Sequence, residues 1–358
     1  MKGRFYLGMV AGVVGAALLA AGCAEDNQWL ADRNGGVAAY KRGDFGEAER
    51  MLVSAARVAD TFSPQDKRRG AALNDLALVY YHQGRYAEAE KTHKLALAAR
   101  KYVLGPNHPD VATSLNNLAF LYVEQGRYAE AEPLHLEALA MRESALGPNH
   151  IDVAASLNNL GSLYEAQRRY VEAEPLYQRA LAIVEAERGP NHPFVAATLN
   201  NLAAVYAAQV KTEEAEMLYQ RAIDILEDAL GPAHAQTGAS YNNMATLYDS
   251  TGRYDEAEAL YRRALAIFEA TRGPNHPQVA KTLNNLAVLL TRESRYPEAE
   301  PLHTRAIRIR RDALGDIHAL VAESVANYAV MLRRSGRSIE ADRADARAAA
   351  IRAEIEDR

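Results

Sequence analysis

One motif returns at a fixed interval along most of this 358-residue chain. The asparagine pair in "SLNNLAFLY", or a near match to it, occurs seven times, and each copy begins 42 residues after the previous one. A second motif, "GPNHP", keeps the same interval between the copies. A fixed period without insertions is the sequence signature of a solenoid, in which each repeat packs only on its neighbours. The copies begin at Asn74, Asn116, Asn158, Asn200, Asn242, Asn284 and Ala326.

Each 42-residue unit predicts two helices. In the copy that starts at Pro109, apolar residues fall at Val111, Leu115 and Leu118, with the three-and-four spacing of an amphipathic helix. Gly126 is expected to end this helix, since glycine favours the position just past a helix C-terminus. A second apolar run with the same period follows and ends at a Gly-Pro pair. We therefore expect an all-α chain of eight antiparallel helix pairs.

These units resemble the tetratricopeptide repeat. That family has a period of about 34 residues, whereas the longer period here, the Asn pairs, "GRYxEAExLYxRAL" and "LGPxHPxVA" resemble its kinesin-light-chain type. The resemblance implies a right-handed α-solenoid that binds proteins. The residues of one copy that match the family's signature are Leu118, Ala119, Tyr122, Gly126, Tyr128, Ala131 and Ala138.

The copies also predict the boundaries within the chain. We expect a signal peptide at 1–22, a short linker at 23–30 and a degenerate first repeat at 31–66. Six regular repeats follow at 67–318, and an atypical repeat with a capping helix occupies 319–358. Atypical end repeats are what a solenoid requires, because their outer faces meet water.

The N-terminus has the pattern of an export signal. Lys2 and Arg4 precede an uncharged run at 5–21, which ends in small residues before Cys23. A membrane-spanning anchor is the alternative, but a run of about 17 Gly-rich residues is at the short limit for crossing a bilayer. We therefore expect cleavage.

Cys23 is the only cysteine, which excludes a disulfide within the chain. The run "LLAAGC" resembles the lipobox of bacterial lipoproteins, although Ala20 stands where leucine is usual. The resemblance implies cleavage before Cys23, lipidation of its thiol and attachment to a membrane of the cell envelope. Ala24 resembles the signal for the outer membrane, on its periplasmic side, in a Gram-negative host.

The sequence shows no group of residues spaced for catalysis or for metal binding. The histidines of the "GPNHP" linkers recur once per repeat, too far apart to share one metal ion, so we expect them to cap helices or pack in loops. The two acids of each "EAE" do not share a helix face, which favours a solvated surface. Formal net charge is −5, or −7 without Lys2 and Arg4, which is unsuited to nucleic acid. We expect no catalytic residue, metal, cofactor or small-molecule substrate.

The two asparagines of each pair are predicted to have different roles. The resemblance implies that the second, such as Asn117, bonds a neighbouring helix or repeat. It places the first in the concave groove, where a ladder of amides could pair with the backbone of an extended peptide. Alternatively, these amides only solvate the surface or bridge adjacent repeats. The predicted ladder comprises Asn74, Asn116, Asn158, Asn200, Asn242 and Asn284.

Other groove positions are expected to give specificity. Nine arginines and six acids lie between Arg292 and Arg337, which suggests that the C-terminal groove prefers an acidic ligand segment. Alternatively, these arginines simply solvate a terminal repeat. The remaining predicted groove residues are Phe120, Glu124, Glu165, Asp249, Lys281, Arg292, Arg333 and Arg334.

The sequence thus predicts a membrane-anchored lipoprotein that binds a protein or peptide in its concave groove without a chemical step. One alternative is a scaffold or assembly factor for an envelope machine that uses the convex face. A second is a cytoplasmic adaptor whose N-terminus is not a signal.

Overall fold

A computed structural model describes residues 24–356 as sixteen helices without a strand. None of these helices is long and apolar enough to cross a membrane. The predicted signal peptide and Cys23 lie outside the described residues. The helices are α1 (Ala24–Arg42), α2 (Phe45–Thr61), α3 (Arg68–His82), α4 (Tyr86–Leu104), α5 (Pro109–Glu124), α6 (Tyr128–Leu146), α7 (Ile151–Ala166), α8 (Tyr170–Arg188), α9 (Pro193–Ala208), α10 (Thr212–Leu230), α11 (Ala235–Ser250), α12 (Tyr254–Arg272), α13 (Pro277–Arg292), α14 (Tyr296–Leu314), α15 (Ala319–Arg334) and α16 (Ser338–Glu356).

Consecutive helices pack as antiparallel pairs, which confirms the predicted eight pairs and the all-α solenoid fold. The described residues form two compact units that meet in sequence between Ile225 and Leu226, within α10. Residues 24–30, most of the segment predicted as a linker at 23–30, are helical and form the start of α1. The acids Glu25 and Asp26 favour the first turn of a helix, where the helix dipole is positive.

The core of each unit is shared between neighbouring repeats. In the first unit, Leu118 and Ala131 of one repeat pack in the same buried cluster as Leu160 and Leu163 of the next. Burying one such leucine stabilises a fold by about 1.5–3 kcal/mol. A single repeat cannot bury its apolar face alone, so the repeats fold as a stack.

The "GPNHP" linkers start helices, as expected. The Nδ1 atom of His108 accepts a hydrogen bond from the backbone N–H of Asp110 at 3.1 Å, and Pro109 occupies the first turn, where no N–H is needed. The same histidine cap occurs at five further helix starts, which confirms capping as the role of these residues. The equivalent histidines are His150, His192, His234, His276 and His318.

Two positions that depart from the repeat pattern, Gly36 and Val210, do not interrupt the helix pairs. Gly36 lies within α1, and it allows close packing on α2, since a Cβ at this position would lie 2.7 Å from Leu52 Cγ. Val210 replaces the turn glycine, and its φ of 64° is close to the 74° of Gly126. The turn at Val210 keeps the same backbone hydrogen bonds as the turn at Gly126, so the valine holds a strained backbone conformation.

Candidate binding groove

The first helix of every pair lies on the inner side of the stack. Within the first unit, α1, α3, α5, α7 and α9 contact one another in turn, and α11, α13 and α15 do so in the second. The second helices of the described pairs make no comparable contact with each other. A stack whose first helices approach most closely curves toward them, so these helices line a concave groove in each unit.

The second asparagine of a pair bonds the preceding repeat. Asn117 Nδ2 donates to Asn74 Oδ1 at 2.7 Å, and Asn327 Nδ2 donates to Asn284 Oδ1 at 3.2 Å. These contacts join α5 to α3 and α15 to α13. They agree with the structural role that the sequence suggests for Asn117.

The first asparagine also bonds within the stack. Asn116 Nδ2 donates to Ser156 Oγ at 3.1 Å, and its Oδ1 lies 2.8 Å from His135 Nδ1. Asn158 Nδ2 donates to Thr198 Oγ1 at 3.2 Å. The amides are therefore engaged with the following repeat and with the second helix of their own pair.

This arrangement corrects the predicted ladder of open amides. Asn74, Asn116, Asn200, Asn242 and Asn284 are only 2–7% exposed, because the inner helices pack directly on one another at these positions. Asn158 is half-buried. The structure therefore favours the alternative in which these residues bridge adjacent repeats.

The sequence carries a signal for these bridges that the asparagines alone do not show. A serine or threonine stands two positions before the first position of the pair in every copy from Asn116 onward, including the copy with Ala326, and therefore 40 residues after the first asparagine of the preceding copy. Three of the described bridges use this interval, including Thr282 Oγ1 donating to Asn242 Oδ1 at 3.3 Å. The hydroxyl residues are Ser114, Ser156, Thr198, Ser240, Thr282 and Ser324.

Of the other predicted groove residues of the first unit, two are buried and one is exposed. Glu165 is only 3% exposed, and its Oε2 lies 3.4 Å from the Tyr177 hydroxyl, so its expected place on the open surface is wrong. Phe120 is buried with its ring edge-on to Tyr81, 5.0 Å between centroids. Glu124 is exposed as expected, and its carboxylate accepts a hydrogen bond from the Tyr81 hydroxyl at 2.8 Å.

Two of the predicted basic groove residues of the second unit form ion pairs with acidic side chains of the same chain. Arg292 forms an ion pair with Asp249, whose pKa is raised by burial despite this arginine. Arg333 pairs with Asp342 and Asp345 of α16, at 2.7 and 2.8 Å.

Among the described residues, Arg334 makes no ion pair within 4 Å and is exposed. Lys281 is half-buried on α13. The unit therefore presents fewer open positive charges than the sequence suggests.

A second set of contacts between repeats was missed from the sequence. The Arg127 guanidinium lies over the Tyr122 ring, 4.1 Å from its centroid, and pairs with Glu130 of its own helix pair. It also pairs at 2.5 Å with Glu90 of the preceding repeat. Burial opposes ionisation of Glu90, but hydrogen bonds from Arg127 and other donors lower its pKa to about 2.

The second acid of "EAE" thus crosses between repeats, so only the first acid fits the predicted solvated face. The same cross-repeat pair occurs elsewhere within each unit. Its members are Glu49 with Arg85, Glu132 with Arg169, Glu174 with Lys211, Glu258 with Arg295 and Glu300 with Arg337.

The second helices of the six regular repeats are of two kinds. In one kind, a buried arginine such as Arg142 donates from Nη1 to Asp152 O at 3.0 Å and to Ser156 Oγ at 2.9 Å. A buried histidine, here His135, stands seven residues earlier. In the other kind, an apolar residue such as Val184 replaces the arginine and Tyr177 replaces the histidine. Because residues seven apart share a helix face, the two positions change together.

This division repeats along the chain. His93 precedes Arg100 and His303 precedes Arg310, whereas Tyr219 precedes Leu226 and Tyr261 precedes Phe268. Burial lowers the pKa of His93 and His135 to about 3 and that of His303 to about 4, so these side chains are neutral near pH 7. His135 bonds Asn116, and His303 Nε2 lies 3.3 Å from Thr291 Oγ1, so these two act as packed hydrogen-bonding groups.

Residues 24–356 hold no cluster of three histidine, cysteine or acidic side chains that could ligate a metal. What the geometry provides is a pair of concave surfaces whose exposed side chains differ from repeat to repeat.

Comparison with known proteins supports the repeat assignment. The family model described as tetratricopeptide repeat matches overlapping segments that together span residues 31–354: 31–101, 68–144, 110–186, 152–228, 194–270, 236–312 and 278–354. No curated protein matches the chain.

Several solved structures are similar to the chain. A Podospora anserina putative kinesin light chain with nearly identical tetratricopeptide-like repeats is 27% identical over 59% of this chain and 98% of its own, with a TM-score of 0.46. BtubC from P. vanneervenii is 21% identical, covering 77% of this chain and 91% of its own, with a TM-score of 0.44. The apo quorum sensor NprR of B. thuringiensis shares the fold at a TM-score of 0.60 and 15% identity, covering 91% of this chain and 87% of its own.

The family match extends over nine-tenths of the chain, and the helix pairs, turn glycines and buried alanines of the structure agree with it. The chain belongs to the tetratricopeptide repeat family.

Proposed function

We propose that the chain is a non-catalytic interaction module that binds an extended segment of a partner protein in its concave groove. Tetratricopeptide repeats typically serve protein interaction, and a repeated scaffold presents an extended concave surface to such a partner.

One observation carries this proposal. Positions that join the repeats keep the same residue type from copy to copy, whereas the residue in the last turn of each inner helix changes and is half-buried or exposed. Side chains there meet along the groove, as when the Tyr40 hydroxyl lies 2.7 Å from His82 Nε2. In chain order this position holds Tyr40, His82, Glu124, Ala166, Ala208, Ser250, Arg292 and Arg334.

A constant frame with a varied inner surface favours recognition of a particular partner. Ala166 and Ala208 leave space for larger ligand side chains in the first unit. In the second unit, Arg334 favours an acidic segment, a preference limited by the ion pairs of Arg292 and Arg333.

The N-terminal pattern supports a membrane-anchored form of this module. We propose that Cys23 is lipidated after cleavage and that the repeats face the periplasm from the outer membrane in a Gram-negative host. More than one acyl chain would hold the protein firmly, since a single chain binds a bilayer only marginally.

Two alternatives remain distinct from this proposal. A scaffold for an envelope machine would bind folded subunits on its convex face, and a cytoplasmic adaptor would use the groove without an anchor. Exposed apolar residues on outer positions, such as Val171 and Met217, are the observation that favours the scaffold.

Site-specific photocrosslinking in intact cells tests the use of the groove. A benzophenone amino acid at Ala208, in the groove, should capture a discrete partner, whereas the same group at Glu213, exposed on an outer helix, should not. Capture from Glu213 alone would favour the convex face and contradict the proposal.

A further inference from the structure

We propose that one edge of the groove in the first unit binds an apolar side chain and a carboxylate of the partner segment. This inference rests on the proposed function and specifies the chemistry of one part of the ligand. The surface concerned, called the turn edge below, comprises Arg168 and Val210. Arg168 lies in the turn that joins α7 to α8, and Val210 lies in the turn that joins α9 to α10.

Both residues of the turn edge hold a backbone conformation that favours glycine. The φ angles of Arg168 and Val210 are 61° and 64°, and the equivalent turn of the preceding repeat has Gly126 with a φ of 74°. A residue with a Cβ is less stable than glycine at such an angle, and a β-branched residue is especially unfavourable there. The turns themselves therefore give no reason for either side chain.

Packing within the protein gives no reason for them either. The Val210 side chain is 82% exposed. Arg168 is exposed, and among residues 24–356 its guanidinium forms no ion pair or hydrogen bond. The adjacent Arg169, by contrast, pairs with Glu132 of the preceding repeat at 3.1 Å. The fold thus uses Arg169, whereas Arg168 and Val210 remain open to a partner.

Contacts between repeats hold the two turns in register. Lys211, next to Val210, pairs with Glu174 of α8 at 3.1 Å, just as Arg169, next to Arg168, pairs with Glu132 of α6. Each turn is therefore fixed to the outer helix of the preceding repeat by the same contact. Arg168 and Val210 consequently occupy equivalent places, one repeat apart, along one edge of the first unit.

The turn edge adjoins the part of the groove with the smallest side chains. Ala166 is two residues before Arg168, and Ala208 is two residues before Val210. Both alanines are half-buried in the last turn of an inner helix. A segment that fills the space above these alanines passes the turn edge, where Val210 covers an apolar ligand side chain and Arg168 pairs with a carboxylate. Such a contact offsets the backbone strain, which is commonly found at functional sites.

The spacing of the repeats predicts the spacing of the two ligand side chains. The inner helices α7 and α9 contact each other, and packed helices lie about 8–10 Å apart. An extended chain advances about 3.3 Å per residue. The acidic and the apolar ligand residue should therefore be about three positions apart.

Selection from a random-peptide library displayed on phage tests the inference, with the purified full chain in detergent as bait. We expect selected peptides to share an Asp or Glu and a large apolar residue at this spacing. Fluorescence anisotropy then measures single labelled peptides. Replacing the acid by its amide should weaken binding about threefold, and replacing the apolar residue by serine about fivefold. A selection without this pattern, or peptides that tolerate either replacement, would overturn the inference.

Glycine variants of the protein locate the effect without unfolding it. Val210→Gly should weaken a selected peptide about fivefold and Arg168→Gly about threefold, although both should raise the melting temperature because glycine relieves the strained turn. Ser294→Gly is the matched control, because Ser294 has a φ of 63° in an equivalent turn of the second unit. It should raise the melting temperature and leave peptide binding unchanged. Full peptide binding by Val210→Gly or by Arg168→Gly contradicts the inference, as does an equal loss in Ser294→Gly.

The proposed function has a separate readout. Ala208→Arg fills the groove beside the turn edge and should prevent binding of the selected peptides. If it does so while Val210→Gly and Arg168→Gly bind as the parent does, groove binding stands and the role of the turn edge fails. If all three variants bind as the parent does, the proposed function fails as well.

Discussion

The side-chain amide of Asn117 donates to the amide oxygen of Asn74 across 2.7 Å, and both groups are buried between consecutive inner helices. Asparagine costs a helix a few tenths of a kcal/mol relative to better helix formers. A buried hydrogen bond contributes about 0.5–1.5 kcal/mol and fixes the register of one helix on the next. The asparagine pairs therefore hold the stack together, and the proposed function assigns recognition to the varied residues around them.

Asn116 should contribute more to stability than Asn158. Asn116→Ala removes two hydrogen-bonding groups and leaves Ser156 and His135 without that amide, which should cost about 1–3 kcal/mol. Asn158→Ala is the matched control, because that residue is half-buried and its described bond is longer, at 3.2 Å. Urea unfolding measures both, and an equal or larger loss for Asn158→Ala would contradict this role.

The buried histidines should make the protein sensitive to mild acid. Their folded pKa values, about 3 for His93 and His135 and about 4 for His303, lie below the unfolded value of about 6.5. These histidines contribute fully to the free energy of unfolding above pH 6.5. Their contribution falls as the pH drops toward the folded-state pKa values, because the unfolded chain then binds more protons than the folded chain.

Each of these histidines should therefore reduce the free energy of unfolding by about 2 kcal/mol between pH 7.5 and 5. Changing His135 to Tyr together with Arg142 to Val converts that helix to the kind seen with Tyr177 and Val184, and should reduce the loss. A folded double variant with the same pH dependence as the parent would be evidence against this origin.

The strained turn at Val210 can be relieved. A β-branched residue with a φ of 64° is unfavourable, whereas glycine adopts this conformation freely. Val210→Gly should raise the free energy of unfolding by about 1 kcal/mol. The reverse change, Gly126→Val, should lower it by a similar amount, and thermal melts of both would show opposite shifts. A destabilised Val210→Gly variant would show that the turn is not strained.

If Cys23 is lipidated as proposed, the protein should be found in the membrane fraction of cells. In cells, Cys23→Ser should move it from the membrane fraction to the soluble fraction, because no other residue in the predicted signal can carry the acyl chains. Ala24→Ser serves as a control that leaves the thiol in place. Membrane association that survives Cys23→Ser would argue against a lipid anchor.

The periodic parts of this molecule were predictable, and its side-chain contacts were less so. The 42-residue interval specifies the helix pairs because spacing and turn residues are local properties of the sequence. The burial of Asn116 depends on how closely α5 approaches α7, which no single copy reveals. The exchange of His135 with Arg142 for Tyr177 with Val184 becomes apparent only when copies are aligned and their packing is seen.

Affinity for the partner captured by crosslinking tests the central claim most directly. Ala208→Arg, in the groove, should reduce this affinity at least tenfold, or about 1.4 kcal/mol, without lowering thermal stability. Asn116→Ala should lower thermal stability, and the molecules that remain folded should bind as the parent does. Full binding by Ala208→Arg, with binding lost in folded Asn116→Ala, would show that the asparagines themselves recognise the partner and would contradict the account.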